Sequence, residues 1–213
     1  MNEPRPLVVK IGGGLLRSNG LDGLRQACDD ARALAAGRPV LVVPGGGPFA
    51  DAVRAVDAQV GLTDAVAHAL ALGAMDQLST LLAPLLPGAE PLDRLVAPRG
   101  LGLLMAAPAF AGRADIPEAW AVTSDSLAVL AAGAIGGDEA ILLKAVPGVM
   151  ARWPSDHPPL ERLTADELQA LQDAGGGRAV DAYLPEAVRR TGVAVRVRQP
   201  GALPEAGTRV VPR

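Results

Sequence analysis

Aromatic residues and cysteine are scarce in this sequence of 213 residues. Aromatics make up 2% of it, so it lacks the stacking platforms with which proteins bind single-stranded nucleic acid. The net charge is −3 and no basic block occurs, which also argues against a nucleic-acid partner. The one cysteine, Cys28, cannot form a disulfide within the chain and predicts a reducing compartment such as the cytoplasm.

Long hydrophobic runs are missing as well. No stretch reaches about 18 uninterrupted apolar residues, so we expect no membrane span. The segment Met1–Pro6 is short and polar, and the apolar run after it has only the length of a strand, so we expect no signal peptide. With 49% hydrophobic residues the chain can bury a sizeable core. These features predict a cytoplasmic globular protein.

Lysine is far rarer than arginine in this chain, and its two positions are informative. Of the 20 basic residues only Lys10 and Lys144 are lysines. Each lies in an apolar, strand-like run, Lys10 within Leu7–Ile11 and Lys144 within Ala140–Val149. A buried ammonium group is costly unless it is paired, so both positions need an explanation.

Strand-like and helix-like patterns alternate along the chain. The predicted strands are 7–11, 39–43, 92–96, 102–107, 119–122, 140–144, 193–198 and 208–211. The predicted helices are 20–36, one that ends at 60, 63–86, 127–135, 163–171 and 181–191. This order predicts an α/β fold, a three-layer sandwich with a mostly parallel central sheet. We expect one domain over 1–213, with an N-terminal lobe of about 1–120 and a C-terminal lobe of about 121–213.

Glycine triplets follow the first two predicted strands. Gly12–Gly14 follows the first strand, and Gly45–Gly47 follows the second and precedes a helix. Converging backbone N–H groups and a helix N-terminus favour anions, and ligands bind at the carboxyl ends of parallel strands. Two neighbouring loops of this kind would suit a phosphoryl donor and a phosphoryl acceptor. The alternative is that both triplets are simply tight turns.

Other nucleotide and hydrolase motifs fit poorly. The sequence has no GxxxxGK[ST] motif, no G-x-S-x-G elbow and no zinc-ligand spacing. Gly45-x-Gly47-x-x-Ala50 fits a loose dinucleotide fingerprint. Pro48 is awkward in that motif, however, and no strand ends in an acidic residue about 20 positions further on.

Four motifs together resemble the amino acid kinase superfamily. They are Lys10-Ile11-Gly12-Gly13, Pro44-Gly45-Gly46-Gly47, Thr123-Ser124-Asp125 and Lys144-Ala145-Val146-Pro147-Gly148-Val149. Val180-Asp181 and Gly207-Thr208 also fit, so the resemblance covers almost the whole chain. It implies an ATP-dependent kinase with the acceptor on the N-terminal lobe and ATP on the C-terminal lobe.

Within the superfamily, the chain is most similar to the kinases of methanofuran biosynthesis. These phosphorylate (5-(aminomethyl)furan-3-yl)methyl phosphate to its diphosphate. The similarity rests on short length and on the phrases PGGGPFAD from Pro44, HALALGAMDQ from His68 and WAVTSDS from Trp120. Two features depart from the superfamily: Gly14 stands where serine is common, and the loop after Gly148 lacks the usual Tyr and Asp-Pro.

The resemblance assigns roles to individual residues. It makes Lys10 and Lys144 the two cations of the site, bridged and oriented by Asp125. It places Gly12 and Gly13 under the transferring phosphate, and Ala145, Val146, Gly148 and Val149 along the nucleotide pocket. The substrate side would include Gly45, Gly46, Gly47, His68, Thr123 and Ser124. Mg²⁺ would bridge the ATP phosphates with few or no protein ligands.

Each assignment has a structural alternative. A strand lysine can extend its head group to solvent, Asp125 can cap a helix N-terminus, and His68 can be a satisfied core histidine. At the level of function, the acceptor could instead be isopentenyl phosphate, UMP or a carboxylate. A nucleotide-binding storage protein on the same fold is a further alternative. The superfamily resemblance also implies a homo-oligomer.

Overall fold

The computed structural model describes residues 4–152 and 157–213. The strands are β1 (Leu7–Ile11), β2 (Val40–Pro44), β3 (Glu90–Leu92), β4 (Leu101–Leu104), β5 (Glu139–Leu143), β6 (Arg162–Thr164), β7 (Ala194–Arg198) and β8 (Thr208–Val211). The helices are α1 (Gly14–Ala35), α2 (Gly47–Val60), α3 (Asp64–Leu82), α4 (Ala106–Phe110), α5 (Ser124–Ala134), α6 (Ala165–Asp173) and α7 (Leu184–Thr191). A short 3-10 turn, Ala83–Leu85, follows α3.

The strands of the described chain form one sheet in the order β3-β4-β2-β1-β5-β7-β8-β6. The paired strands are parallel except for β7 and β8, which pair antiparallel. The predicted α/β fold with a mostly parallel sheet is therefore confirmed. Strand β1 lies between β2 and β5, so the loops after these three strands meet at one edge of the sheet.

Alternating side chains of β1 enter two hydrophobic clusters, one on each face of the sheet. Leu7, Val9 and Ile11 pack with residues of α1, while Val8 packs in the cluster that contains the apolar residues of α5 and α7. Because side chains alternate along a strand, Lys10 shares the face of Val8. That face of the sheet carries α5. The polar first turn of α5 lies near the end of β1.

Several element boundaries differ from the predictions. Helix α1 begins directly at Gly14, although Gly20 is non-helical and kinks it. Residues 119–122 form a turn, so the strand predicted there is wrong; this segment is held by contacts of Trp120 with α2. Helix α4 begins within the strand predicted at 102–107, and the Asp76 carboxylate accepts from its first N–H groups. The short strand β6 was not predicted, and the predicted loop at 151–159 lies partly outside the described residues.

One helix of the described chain is long and apolar enough to cross a membrane by length and composition alone. It is α3 with the 3-10 turn after it, Asp64–Leu85. In the fold this helix is packed against the protein core: Leu72 and Met75 join one hydrophobic cluster, and Leu78 and Leu82 join the other.

Candidate active site

Two lysines and one aspartate meet at the carboxyl edge of the sheet. Lys10 lies in β1, Lys144 directly follows the neighbouring strand β5, and Asp125 lies in the first turn of α5. The Asp125 carboxylate accepts from Lys10 Nζ at 2.8 Å and from Lys144 Nζ at 2.5 Å, one lysine on each oxygen. We call these three residues the charge clamp.

The charge clamp is buried, and burial acts strongly on its ionisation. Lys10 is 4% exposed and Asp125 is 3% exposed. Burial lowers the pKa of Lys10, with Lys144 adding to the effect and Asp125 opposing it. Burial alone would raise the pKa of Asp125, but the two ammonium groups outweigh it and hold that pKa well below its usual range. Asp125 therefore stays an anion, and its charge opposes the effect of burial on Lys10.

The two glycine loops touch each other. A Cβ atom built on Gly13 would lie 2.1 Å from the Gly47 nitrogen, so the two backbones pack with no room for a side chain. Gly47 has a φ of +55°, a conformation that glycine adopts readily. Gly45 donates its N–H to the Ile11 carbonyl and ties the second loop to the first strand. The contact brings the predicted donor loop and acceptor loop together.

Helix α5 is capped from a distant segment. Its N-cap residue, Thr123, makes no side-chain capping bond, and the Asp125 side chain points to the lysines, so the alternative that Asp125 caps this helix is wrong. The Asp181 carboxylate instead accepts from Thr123 N at 2.9 Å and from Ser126 N at 3.0 Å. Burial and the charge of Asp125 raise the pKa of Asp181. This second carboxylate fixes the turn that presents Asp125.

An open cleft lies over the charge clamp and the glycine loops. With the solvent inside it, the cleft spans about 1000 Å³. Among the predicted site residues, Lys10, Gly12, Gly13, Gly46, Gly47, His68, Thr123, Ser124, Asp125, Lys144 and Ala145 line it. The imidazole of His68 is 8% exposed, and burial lowers its pKa against the opposing charge of Glu118.

Four predicted site residues lie outside the cleft walls. Gly45 is the first residue of the second loop and packs against the first loop, since a Cβ atom built on it would lie 2.7 Å from the Gly13 nitrogen. Gly148 and Val149 pack against Thr208, whose hydroxyl accepts from Val149 N at 2.8 Å. Val146 lines a separate, smaller pocket with Met150, Arg178 and Ala179. The binding roles of these four residues stay predictions.

The cleft residues that were not predicted from the sequence include two arginines and a tryptophan. Arg17 comes from the first turns of α1, Arg54 comes from α2, and Trp120 lies in the turn before α5. The two arginines gave no signal because nearly every basic residue of this chain is arginine. Trp120 belongs to the phrase WAVTSDS, but nothing in that pattern indicated that it would face a ligand.

The described residues contain no group of three or more His, Cys, Asp or Glu side chains able to hold a metal ion. At the charge clamp itself, both oxygens of Asp125 are occupied by lysines. A divalent cation in this cleft would therefore have to bring most of its ligands with it.

The sequence profile described as the amino acid kinase family matches residues 5–199. The chain belongs to the amino acid kinase family. It is 26% identical over 154 residues to [5-(aminomethyl)furan-3-yl]methyl phosphate kinase of Methanocaldococcus jannaschii, covering 69% of each chain. The predicted superfamily membership and kinase activity are thus confirmed.

Solved structures of kinases share the fold. The uridylate kinase of Archaeoglobus fulgidus superposes with a TM-score of 0.72 at 20% identity, covering 96% of this chain and 99% of that chain. The aspartate kinase of Synechocystis superposes with a TM-score of 0.73 at 18% identity, covering 98% of this chain and 40% of that chain. At these identities the likeness establishes the three-layer fold of this family member and leaves its acceptor open.

Proposed function

We propose that this amino acid kinase family member transfers the γ-phosphoryl group of ATP to a small phosphate monoester and so makes a diphosphate. The observation that carries the proposal is the charge clamp beneath two glycine loops that touch. Lys10 and Lys144 supply cations, and Gly13, Gly46 and Gly47 supply backbone donors, while the Gly12 N–H is donated to the Leu143 carbonyl. The contact between the loops would bring donor and acceptor phosphates close together.

Catalysis would consist of positioning and charge stabilisation. The transferring phosphoryl group spreads negative charge over its equatorial oxygens, and fixed cations stabilise that charge. Lysine suits the task as a compact charge with three rotatable donors. Without ATP, Asp125 offsets the repulsion between the two ammonium groups. With ATP bound, Lys10 and Lys144 can each donate to a phosphate oxygen while Asp125 keeps them oriented.

The acceptor needs no general base if it is a phosphate monoester. Its second pKa is near 6, so most of it is a dianion at pH 7 and its oxygen can attack directly. His68 is the described histidine that lines the cleft, and burial favours its neutral form. A neutral imidazole can donate one hydrogen bond to an acceptor oxygen, which is the role we assign to His68.

The acceptor we propose is (5-(aminomethyl)furan-3-yl)methyl phosphate. Support comes from the relative in Methanocaldococcus jannaschii, whose name states this activity. It also comes from the phrases at Pro44, His68 and Trp120, which resemble those of methanofuran-biosynthesis kinases. The cleft wall on α3 and α5 offers apolar contacts for a small ring through Leu72, Met75 and Leu127. A Mg²⁺ ion would have to be carried into the cleft by ATP and would supply further positive charge there, because the described residues offer it no group of ligands.

The test is ADP release with a panel of acceptors: the furan phosphate, UMP, isopentenyl phosphate and a carboxylate. We expect turnover with the furan phosphate and a fall in kcat of roughly 10²–10³-fold in Lys10→Ala, the effect typical of removing one stabiliser of the transition state. Arg99→Ala is the matched control, because Arg99 is exposed and precedes β4 at the opposite edge of the sheet.

The outcomes separate the alternatives. Activity that survives Lys10→Ala would refute the mechanism. If UMP or isopentenyl phosphate is turned over faster than the furan phosphate, the proposed acceptor is wrong and the proposed mechanism still holds. Stoichiometric ATP binding without ADP release on any acceptor would favour a storage protein.

A further inference from the structure

Two arginines of the cleft have no part in the charge clamp. The described side chains that line the cleft include four basic ones, Lys10, Lys144, Arg17 and Arg54, and one carboxylate, Asp125. The charge clamp accounts for the two lysines and the carboxylate. Arg17 and Arg54 therefore bring two further basic groups to the cleft wall.

Arg17 lies over the first glycine loop. A Cβ atom built on Gly14 would be 3.7 Å from Arg17 Nη2, so the guanidinium folds back against that glycine. This distance is an ordinary van der Waals contact, so the guanidinium lies directly beside the backbone of the first loop.

Arg54 reaches the same region from α2, two helical turns after Gly47. Its guanidinium lies 5.0 Å from the centre of the Trp120 ring, a distance at which a cation is attracted to an aromatic face. The Trp120 ring is itself fixed, because its indole N–H donates to Asp57 at 2.7 Å. Arg54 thus has a rigid support on the cleft wall.

Asp51 joins the two arginines. Its carboxylate pairs with Arg17 through one oxygen and with Arg54 through the other, the latter at 3.2 Å. The three side chains are about half exposed, and ion pairs at such sites add little to stability. Stability therefore does not account for this arrangement. Each guanidinium has five donors, so both can keep Asp51 and still bind a second anion.

We propose that Arg17 and Arg54 form a second clamp, which we call the arginine clamp, and that it binds the acceptor's own phosphate and holds it against Gly46 and Gly47. This inference rests on the proposed function, in which the acceptor carries a phosphate. Guanidinium groups bind phosphate oxygens in pairs, with more geometric specificity than an ammonium group provides. Two of them beside the loop contact would also offset the repulsion between the acceptor dianion and the incoming phosphoryl group.

The first test compares Michaelis constants for the two substrates. In Arg17→Ala and in Arg54→Ala we expect the KM for the acceptor to rise about 10–100-fold, the loss expected for one charge-assisted hydrogen-bonding group. The KM for ATP should change less than about threefold. Arg25→Ala is the matched control, because Arg25 is an exposed arginine of α1 that pairs with Asp22 and lies outside the cleft.

The second test measures binding without ATP by isothermal titration calorimetry, with the furan phosphate, UMP and isopentenyl phosphate as probes. We expect both alanine variants to weaken each monoester that the parent binds, and Arg17→Lys and Arg54→Lys to recover part of the affinity. Circular dichroism and the melting temperature check that the variants fold. If an alanine variant fails to fold, the folded lysine variants decide, with an expected loss smaller than tenfold but measurable.

The results separate this inference from the proposed function. If the parent protein binds phosphate monoesters through both arginines but releases no ADP, the proposed function is refuted and the arginine clamp is supported. If both alanine variants bind the acceptor with normal affinity, the arginine clamp is refuted and the proposed kinase function is unaffected. Three further outcomes would overturn the arginine clamp. They are an equal rise in the KM for the acceptor and for ATP, the same loss of acceptor affinity in Arg25→Ala, and a parent protein that binds none of the monoesters.

Discussion

Replacing Asp125 by asparagine removes one buried charge and leaves two cations in its place. The amide has the size of the carboxylate, so the change isolates charge from packing. Both carboxylate oxygens bind an ammonium group, at 2.8 and 2.5 Å, and Lys10 is almost fully buried. Breaking a buried ion pair from one side costs about 3–5 kcal/mol, because an uncompensated charge remains.

Proton release sets an upper limit on this cost. The ordinary pKa of lysine is 10.5, and each pH unit below it corresponds to about 1.4 kcal/mol. Deprotonating Lys10 in the folded variant therefore costs about 5 kcal/mol at pH 7 and about 1.4 kcal/mol at pH 9.5. The unfolded variant binds more protons than the folded one in this window, so the stability of Asp125→Asn rises with pH.

The assay is urea unfolding without nucleotide at pH 7 and at pH 9.5. We expect the free energy of unfolding of Asp125→Asn to be about 3–5 kcal/mol below that of the parent at pH 7, and the deficit to shrink to about 1–2 kcal/mol at pH 9.5. Asp22→Asn is the control, because Asp22 makes an exposed pair with Arg25 and should matter by less than about 0.5 kcal/mol at both pH values. A variant as stable as its parent at pH 7, or a deficit that does not shrink, would refute the charge argument.

Two further predictions concern the loops around the charge clamp. Gly13→Ala places a methyl group 2.1 Å from the Gly47 nitrogen, so the loops must part, and we expect kcat to fall about 100-fold or more. Gly37→Ala, which meets nothing within 4 Å, should leave kcat unchanged; equal rates in the two variants would contradict the loop contact. Asp181→Ala leaves the N–H groups of the Thr123–Ser126 turn without their acceptor, and we expect a loss of about 1–3 kcal/mol in urea unfolding. A wild-type unfolding midpoint would show that the turn does not need Asp181.

The sheet centre could be predicted because its signals are local. Leu7–Ile11 is short, apolar and β-branched, and it forms β1 with the predicted bounds. The capping box at Thr164 and Glu167 is equally local and is present at the start of α6. The residues Thr63 and Asp64 were both candidates to cap α3, and Thr63 does so, with its hydroxyl accepting from Val66 N. In each case one short stretch contains both the residue and its partner.

Contacts between distant segments could not be predicted in this way. Asp181 binds Ser126 across 55 residues, and no periodicity in either segment indicates the pair. Trp120 and Asp57 are 63 residues apart. Their hydrogen bond holds residues 119–122 against α2 as a turn, where the sequence predicted a strand. Helix α1 begins at Gly14, where propensity disfavours a helix, because residues further along it pack on the sheet.

The position of Lys10 shows how the register of one strand sets up the charge clamp. Side chains alternate along β1, so Ile11 and Val9 fill the apolar cluster under α1 while Lys10 turns to the face that carries α5. A slip by one residue would place the ammonium among the apolar side chains of that cluster and away from Asp125. The same register sets Lys10 opposite Leu142 of β5, two residues before Lys144. The requirement to bury three apolar side chains on one face therefore also brings both lysines to Asp125.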